Sequence, residues 1–139
     1  MERGAHGCPL GYRIVSVDGT RITHRYCSTC ESRVDRQGEW YGPDKPLARD
    51  LEAGLVLNCC DAPNGSTAQA RIDRHDWQPM PVFAAMNEKV GLVMPHHVRL
   101  MVDTKTIGPG RHTVVARARW SDGTEVTQPG AFLVASEDR

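Results

Sequence analysis

Arg111-His112-Thr113-Val114-Val115-Ala116-Arg117-Ala118-Arg119-Trp120, followed by Ser121-Asp122-Gly123-Thr124 and Glu125-Val126-Thr127, decides the fold class of this chain. In an extended segment, Val114, Ala116, Ala118 and Trp120 share one face, while Thr113, Arg117 and Arg119 share the other. That alternation predicts a half-buried strand with its polar face in water. The Asp-Gly step then predicts a hairpin, because glycine accepts the backbone angles of a tight turn.

The same reading extends outward. Tyr12–Val17 and Thr20–Tyr26 flank Asp18-Gly19 as a second predicted hairpin. Val98–Asp103 alternates, with Val98, Leu100 and Val102 on one side, before Gly108-Pro109-Gly110 turns the chain. Ala131–Ala135 is a last strand after Pro129-Gly130, and Leu55–Cys60, Val82–Met86 and Ala70–Asp73 are further short ones. Only Pro46–Glu52 reads as a helix. About seven to nine short strands divided by Gly and Pro predict an all-β protein, an antiparallel sandwich or a barrel.

Residues 98–135 resemble the closing strands of bacterial immunoglobulin-like or fibronectin-III-like modules: a strand, a Pro-Gly turn, a long strand and an Asp-Gly hairpin recur in that order. The resemblance implies an immunoglobulin-like sandwich and no particular activity. A fainter likeness, carried by the Pro-Gly turn and the β-rich strand after it, is to small β-sandwich subunits of two-component enzymes such as C-glycoside deglycosidases. It implies an accessory subunit that completes another chain's active site.

With 139 residues and 40% apolar side chains, one domain is expected over residues 1–139, with a cysteine-containing hairpin region at 1–60 and the immunoglobulin-like strands at 98–139. Aromatics make up only 6%, so the core must lean on aliphatic residues. Seventeen basic and seventeen acidic side chains cancel. No positive field is available for nucleic acid, and little self-repulsion opposes association. A protein partner or a homo-oligomer is the expected company. No stretch approaches the ~20 apolar residues that span a bilayer, and Met1–Cys8 lacks a signal peptide's apolar core. A cytoplasmic or virion location is expected, with no membrane partner.

Five cysteines, an odd number, argue against a complete disulfide framework. Cys27 and Cys30 have the spacing that aims two thiolates at one metal, predicting a zinc-knuckle-like hairpin. Cys8 opens the first hairpin and Cys27 ends it, so antiparallel pairing would bring them together. In a strand, Cys59 and Cys60 project to opposite faces; Cys59 shares its face with Leu55 and Leu57 and is preferred as the fourth ligand. The expected zinc ligands are thus Cys8, Cys27, Cys30 and Cys59, with His24 and Cys60 as alternatives. Four protein ligands would close the site, making it a staple and not a catalyst. Core packing is the competing role. Redox chemistry at Cys27 and Cys30 is disfavoured, because Glu31–Gly38 offers no helix to lower a thiol pKa.

Trp40, Tyr41 and Trp77 stand among Gly, Pro and charged residues and are expected on loops, as partner-binding anchors or as caps on the core. No nucleophile, base and oxyanion donor can be named together, so no catalytic residue is assigned. An accessory-subunit role would draw on His75, Asp76, His96 and His97. The reading as a whole is of a non-catalytic structural or interaction module, for example a virion or tail-decoration component.

Overall fold

The computed structural model describes residues 8–41, 54–60, 62, 65–82, 85–87, 92–94, 96–120 and 123–136. They form strands β1 (Gly11–Asp18), β2 (Arg21–Ser28), β3 (Gly38–Tyr41), β4 (Leu55–Cys59), β5 (Thr67–Ile72), β6 (Gln78–Pro79), β7 (Ala85–Asn87), β8 (Leu92–Met94), β9 (His97–Leu100), β10 (Gly110–Arg119) and β11 (Glu125–Val134), with one short helix, α1 (Thr104–Ile107). The predicted helix at 46–52 lies outside the described residues.

Two antiparallel sheets share one core. One has the order β11-β10-β5-β6 and the other β3-β4-β9. Ala70, Ile72, Val114, Ala116, Ala118, Phe132 and Val134 from the first sheet meet Trp40, Leu55, Leu57, Cys59, Val98 and Leu100 from the second. The face predicted for β10 is the buried one: Val114, Ala116, Ala118 and Trp120 are all buried. Among the described residues no sheet closes on itself, so the barrel alternative is set aside. No helix there is long and apolar enough to cross a membrane.

Several boundaries differ from the sequence reading. β11 runs unbroken through Pro129, where a break was expected. It is an edge strand, the place where the missing N–H of proline can be tolerated. β5 starts earlier than expected and lies centrally, between β10 and β6. The predicted strand at 98–103 ends at Leu100, because the Asp103 carboxylate accepts from the Lys105 N–H at 3.0 Å and the Thr106 hydroxyl at 2.6 Å, capping α1.

β1 and β2 stand apart from both sheets as a two-stranded hairpin. Gly19, at φ 58, occupies the turn where a positive φ is needed. Every residue of β1 is exposed, whereas Tyr26 and Ser28 near the end of β2 are buried. The hairpin is therefore seated by its base and projects at its tip.

Beyond the end of β5, Asp73 adopts a left-handed conformation at φ 48. Its carboxylate pairs with His112 Nδ1 at 2.8 Å and accepts from the Thr113 N–H at 2.9 Å and hydroxyl at 3.0 Å. The His112 bond, ahead of the Thr113 N–H, holds the Asp73 pKa down to about 2. A depressed carboxylate pKa stabilises the fold above its ordinary value near 3.8, and the contribution fades as pH falls through about 2. Asp73→Asn keeps a residue that tolerates this backbone. It is expected to lower stability at neutral pH by about 1 kcal/mol, a figure discounted for solvent screening because the side chain is 38% exposed. Urea titrations should show the difference shrinking between about pH 4 and pH 2; a pH-independent difference would assign the effect to something other than this carboxylate.

Candidate functional site: a thiol cluster at the base of the hairpin

The segment leading into β1 is pinned to the end of β2. The Tyr26 hydroxyl donates to the Pro9 carbonyl, and the Thr29 N–H and hydroxyl both donate to the Leu10 carbonyl at 2.9 Å. Gly11 permits this closure: a methyl group there would stand 2.5 Å from the Tyr26 ring and from the Cys27 carbonyl oxygen. Cys8, half-buried, is thereby held over the end of β4.

The opposing wall comes from β4 and β9. Asn58 is fully buried and pairs in register with His97. The Cys59 N–H donates to the His96 carbonyl at 3.0 Å, fixing the residue just ahead of β9 beside the end of β4. Cys60 is the first residue after β4 and is buried. Around Cys8 Sγ lie His96 Nε2 at 3.8 Å, Asn58 Nδ2 at 3.6 Å and Oδ1 at 3.8 Å, and the Cys60 thiol donates to the Asn58 carbonyl at 4.0 Å.

These neighbours divide the protons between the two thiols. The neighbouring Cys60 thiol, then the contact and charge of His96 and the bond to Asn58, hold the Cys8 pKa down to about 4 against the opposing effect of burial. Cys60 is pushed the other way, by Cys8 beside it and by burial. Of the two, Cys8 is thus the thiolate and Cys60 the thiol. Burial and, secondarily, the Cys8 charge push Cys59 up to about 12, the behaviour of an inert core thiol. Burial, with the Cys8 thiolate nearby, pushes Tyr26 up to about 12, so its phenol stays protonated.

The expected zinc ligands are not gathered. Among the described residues no group of three or more His, Cys, Asp or Glu is placed to hold a metal. Cys27 lies between Tyr26 and Ser28, which face the body, so alternation turns its side chain away from Cys8. Cys30 is exposed beyond the end of β2, and Cys59 follows Leu55 and Leu57 into the core. Cys60, ranked below Cys59 as a partner of Cys8, is the thiol that meets it. Strand alternation assigns faces only within the strand, and Cys60 lies past its end. His24 is exposed in mid-hairpin, opposite Val15.

Other expected residues also fall elsewhere. Trp40 is a buried core residue of β3 and not a loop anchor. Tyr41 closes β3, and its side chain lies outside the described residues. Trp77 is half-buried against two guanidinium groups, Arg117 at 4.2 Å and Arg71 at 5.1 Å from its ring. His75 and Asp76 are exposed, and His97 is buried beside His96 with ring centroids 5.0 Å apart.

Gln37 was missed from sequence. Buried, it accepts from the Ser28 N–H at 2.7 Å and donates to the Glu31 and Arg33 carbonyls at 3.0 and 2.7 Å. One amide thus organises the irregular loop after Cys30. A polar residue just before a strand gave no sign of this, since glutamine is usually exposed.

Compared with known protein families, curated proteins and solved structures, the chain matches none.

Proposed function

We propose that this protein is a non-catalytic, immunoglobulin-like assembly module whose β1–β2 arm docks onto the body of a second copy. The strand order supports the immunoglobulin-like part. Taking β3, β4 and β9 as strands A, B and E leaves β11-β10-β5-β6 as G-F-C-C′, the two layers of a fibronectin-III-type sandwich. The arm precedes this sandwich in the chain.

The single observation that carries the assembly reading is the exposed apolar surface of the arm. Val17 and Ile22, paired across the strands, are each 68% exposed; Val15, on the same face, is 59% exposed, and Tyr12, on the other, 57%. A two-stranded hairpin is at best marginally stable in water, and no described strand pairs with either of its edges. Charge favours the body of another copy as its seat. The arm carries Arg13, Arg21 and Arg25 against Asp18, and because the whole chain is neutral the remainder is net acidic. Reciprocal exchange of arms would close a two-fold dimer.

Sedimentation of the full chain is expected to show a dimer or larger species at micromolar concentration. Val17→Asp combined with Ile22→Asp should weaken association at least tenfold, about 1.4 kcal/mol, while leaving the circular dichroism of the sandwich intact. A wild-type chain that stays monomeric across the accessible concentration range would sink this reading.

A further inference from the structure

The thiol cluster has no part in that assembly reading and stands on its own geometry. We propose that Cys8 and Cys60 form a hydroperoxide-reactive pair, in which Cys8 is the attacking thiolate and Cys60 the thiol that resolves it to a Cys8–Cys60 disulfide.

Four features place this chemistry here. Both thiols meet Asn58, Cys8 Sγ lying 3.6 Å from its Nδ2 and Cys60 Sγ 4.0 Å from its carbonyl oxygen, so a sulfenic acid on Cys8 would form beside Cys60. His96 Nε2 at 3.8 Å and Asn58 Nδ2 at 3.6 Å can donate to the thiolate and to an oxygen bonded to it. Cys60 lines a small cavity of about 150 Å³ together with Pro9, Tyr26, Cys30, Gln37 and Glu39. That space, bounded by Pro9 next to Cys8 in the chain, admits a hydrogen-peroxide-sized oxidant on the Cys60 side of the pair. Finally, Cys8 is half-buried and reachable, whereas Cys59 is sealed in the core.

The steps balance with the hydroperoxide as the only oxidant. Cys8 sulfur attacks the distal peroxide oxygen, an S–O bond forms, the O–O bond breaks, and the departing alkoxide or hydroxide takes up a proton. Sulfur loses two electrons and the peroxide gains them. Cys60, giving up its proton, then attacks the Cys8 sulfenic sulfur. The S–S bond forms and the S–O bond breaks, with hydroxide leaving to combine with that proton as water. The product would covalently join the base of the arm to the end of β4.

The test uses the reduced full-length chain and one equivalent of hydrogen peroxide, quenched by alkylation in denaturant and mapped by mass spectrometry. The expected product links the tryptic peptides Gly4–Arg13 and Asp50–Arg71, with fragmentation placing the bond at Cys60 and the label at Cys59. In Cys60→Ser, the oxidation should stop at a Cys8 sulfenic acid that dimedone traps. In Cys8→Ser, peroxide consumption should fall at least tenfold. The wild-type measurement needs no variant to fold. A Cys27–Cys30 link, a Cys8–Cys59 link, or no link at all would overturn the proposal. So would undiminished peroxide consumption by Cys8→Ser.

Discussion

Trp40→Ala is expected to cost the fold about 3–5 kcal/mol, the range for removing a large aromatic from a core. The indole joins the two sheets. It leaves β3, lies directly on Gly130 of β11, and donates its N–H to the Gln128 carbonyl at 3.3 Å. A methyl group on Gly130 would stand 2.8 Å from Trp40 Cδ1, 2.9 Å from Nε1 and 3.2 Å from Val114 Cγ1. Gly130→Ala is therefore expected to destabilise by about 1–3 kcal/mol through overpacking. The two effects should not add: once Trp40 is alanine, only the 3.2 Å approach to Val114 Cγ1 remains, and Gly130→Ala in that background should cost much less. Urea unfolding of the four proteins of this cycle measures the coupling. Additive losses would mean that Trp40 and Gly130 do not touch in solution, and the packing of β3 on β11 would be wrong.

Cys8 is expected to alkylate with iodoacetamide at a rate that barely changes between about pH 6 and pH 8, where an ordinary thiol of pKa ~8.5 gains roughly 80-fold. The sign follows from the depressed pKa of about 4: Cys8 is already thiolate throughout that window. The absolute rate is a poorer readout. At pH 6 the thiolate fraction favours Cys8 over an ordinary thiol by roughly 300-fold, but the lower basicity costs about 100-fold with a Brønsted slope near 0.45. Only a few-fold advantage survives, so the shape of the profile carries the information. The same cysteine in denaturant supplies the reference curve. A rate in the native chain that climbs tenfold per pH unit through the window would show an ordinary thiol, unsupported by Cys60, His96 and Asn58. The titratable groups around the Cys8–Cys60 pair are His96, Tyr26, Cys59, Cys30 and Glu39. His96→Gln, which keeps a polar neighbour without a titrating ring, should move the flat region upward in pH.

What was legible in the sequence was local. Asp18-Gly19 between β-prone runs specified the hairpin, and the alternation over residues 113–120 specified both the strand and its buried face, because side chains two residues apart must share a side of a pleated strand. What was missed depended on partners. β3 is only four residues long and carries a buried tryptophan that its sequence neighbours made look like a loop residue. β11 continues through Pro129 because no described strand pairs on its outer side, a fact of sheet order and not of local propensity.

The same division separates the two readings of the cysteines. Spacing alone drew attention to Cys27 and Cys30, which are close in sequence yet turned away from the buried thiols. Cys8 and His96 lie 88 residues apart, and Cys8 and Asn58 lie 50 apart. By itself the sequence determined an all-β chain with an N-terminal hairpin and a neutral charge balance, since these follow from period, turn chemistry and composition; that the hairpin stands out as an exposed arm was decided by packing. Tertiary structure alone decided which thiols meet and which charges shape them, because contacts between distant segments arise from how two sheets and a hairpin pack together. No local pattern encodes that.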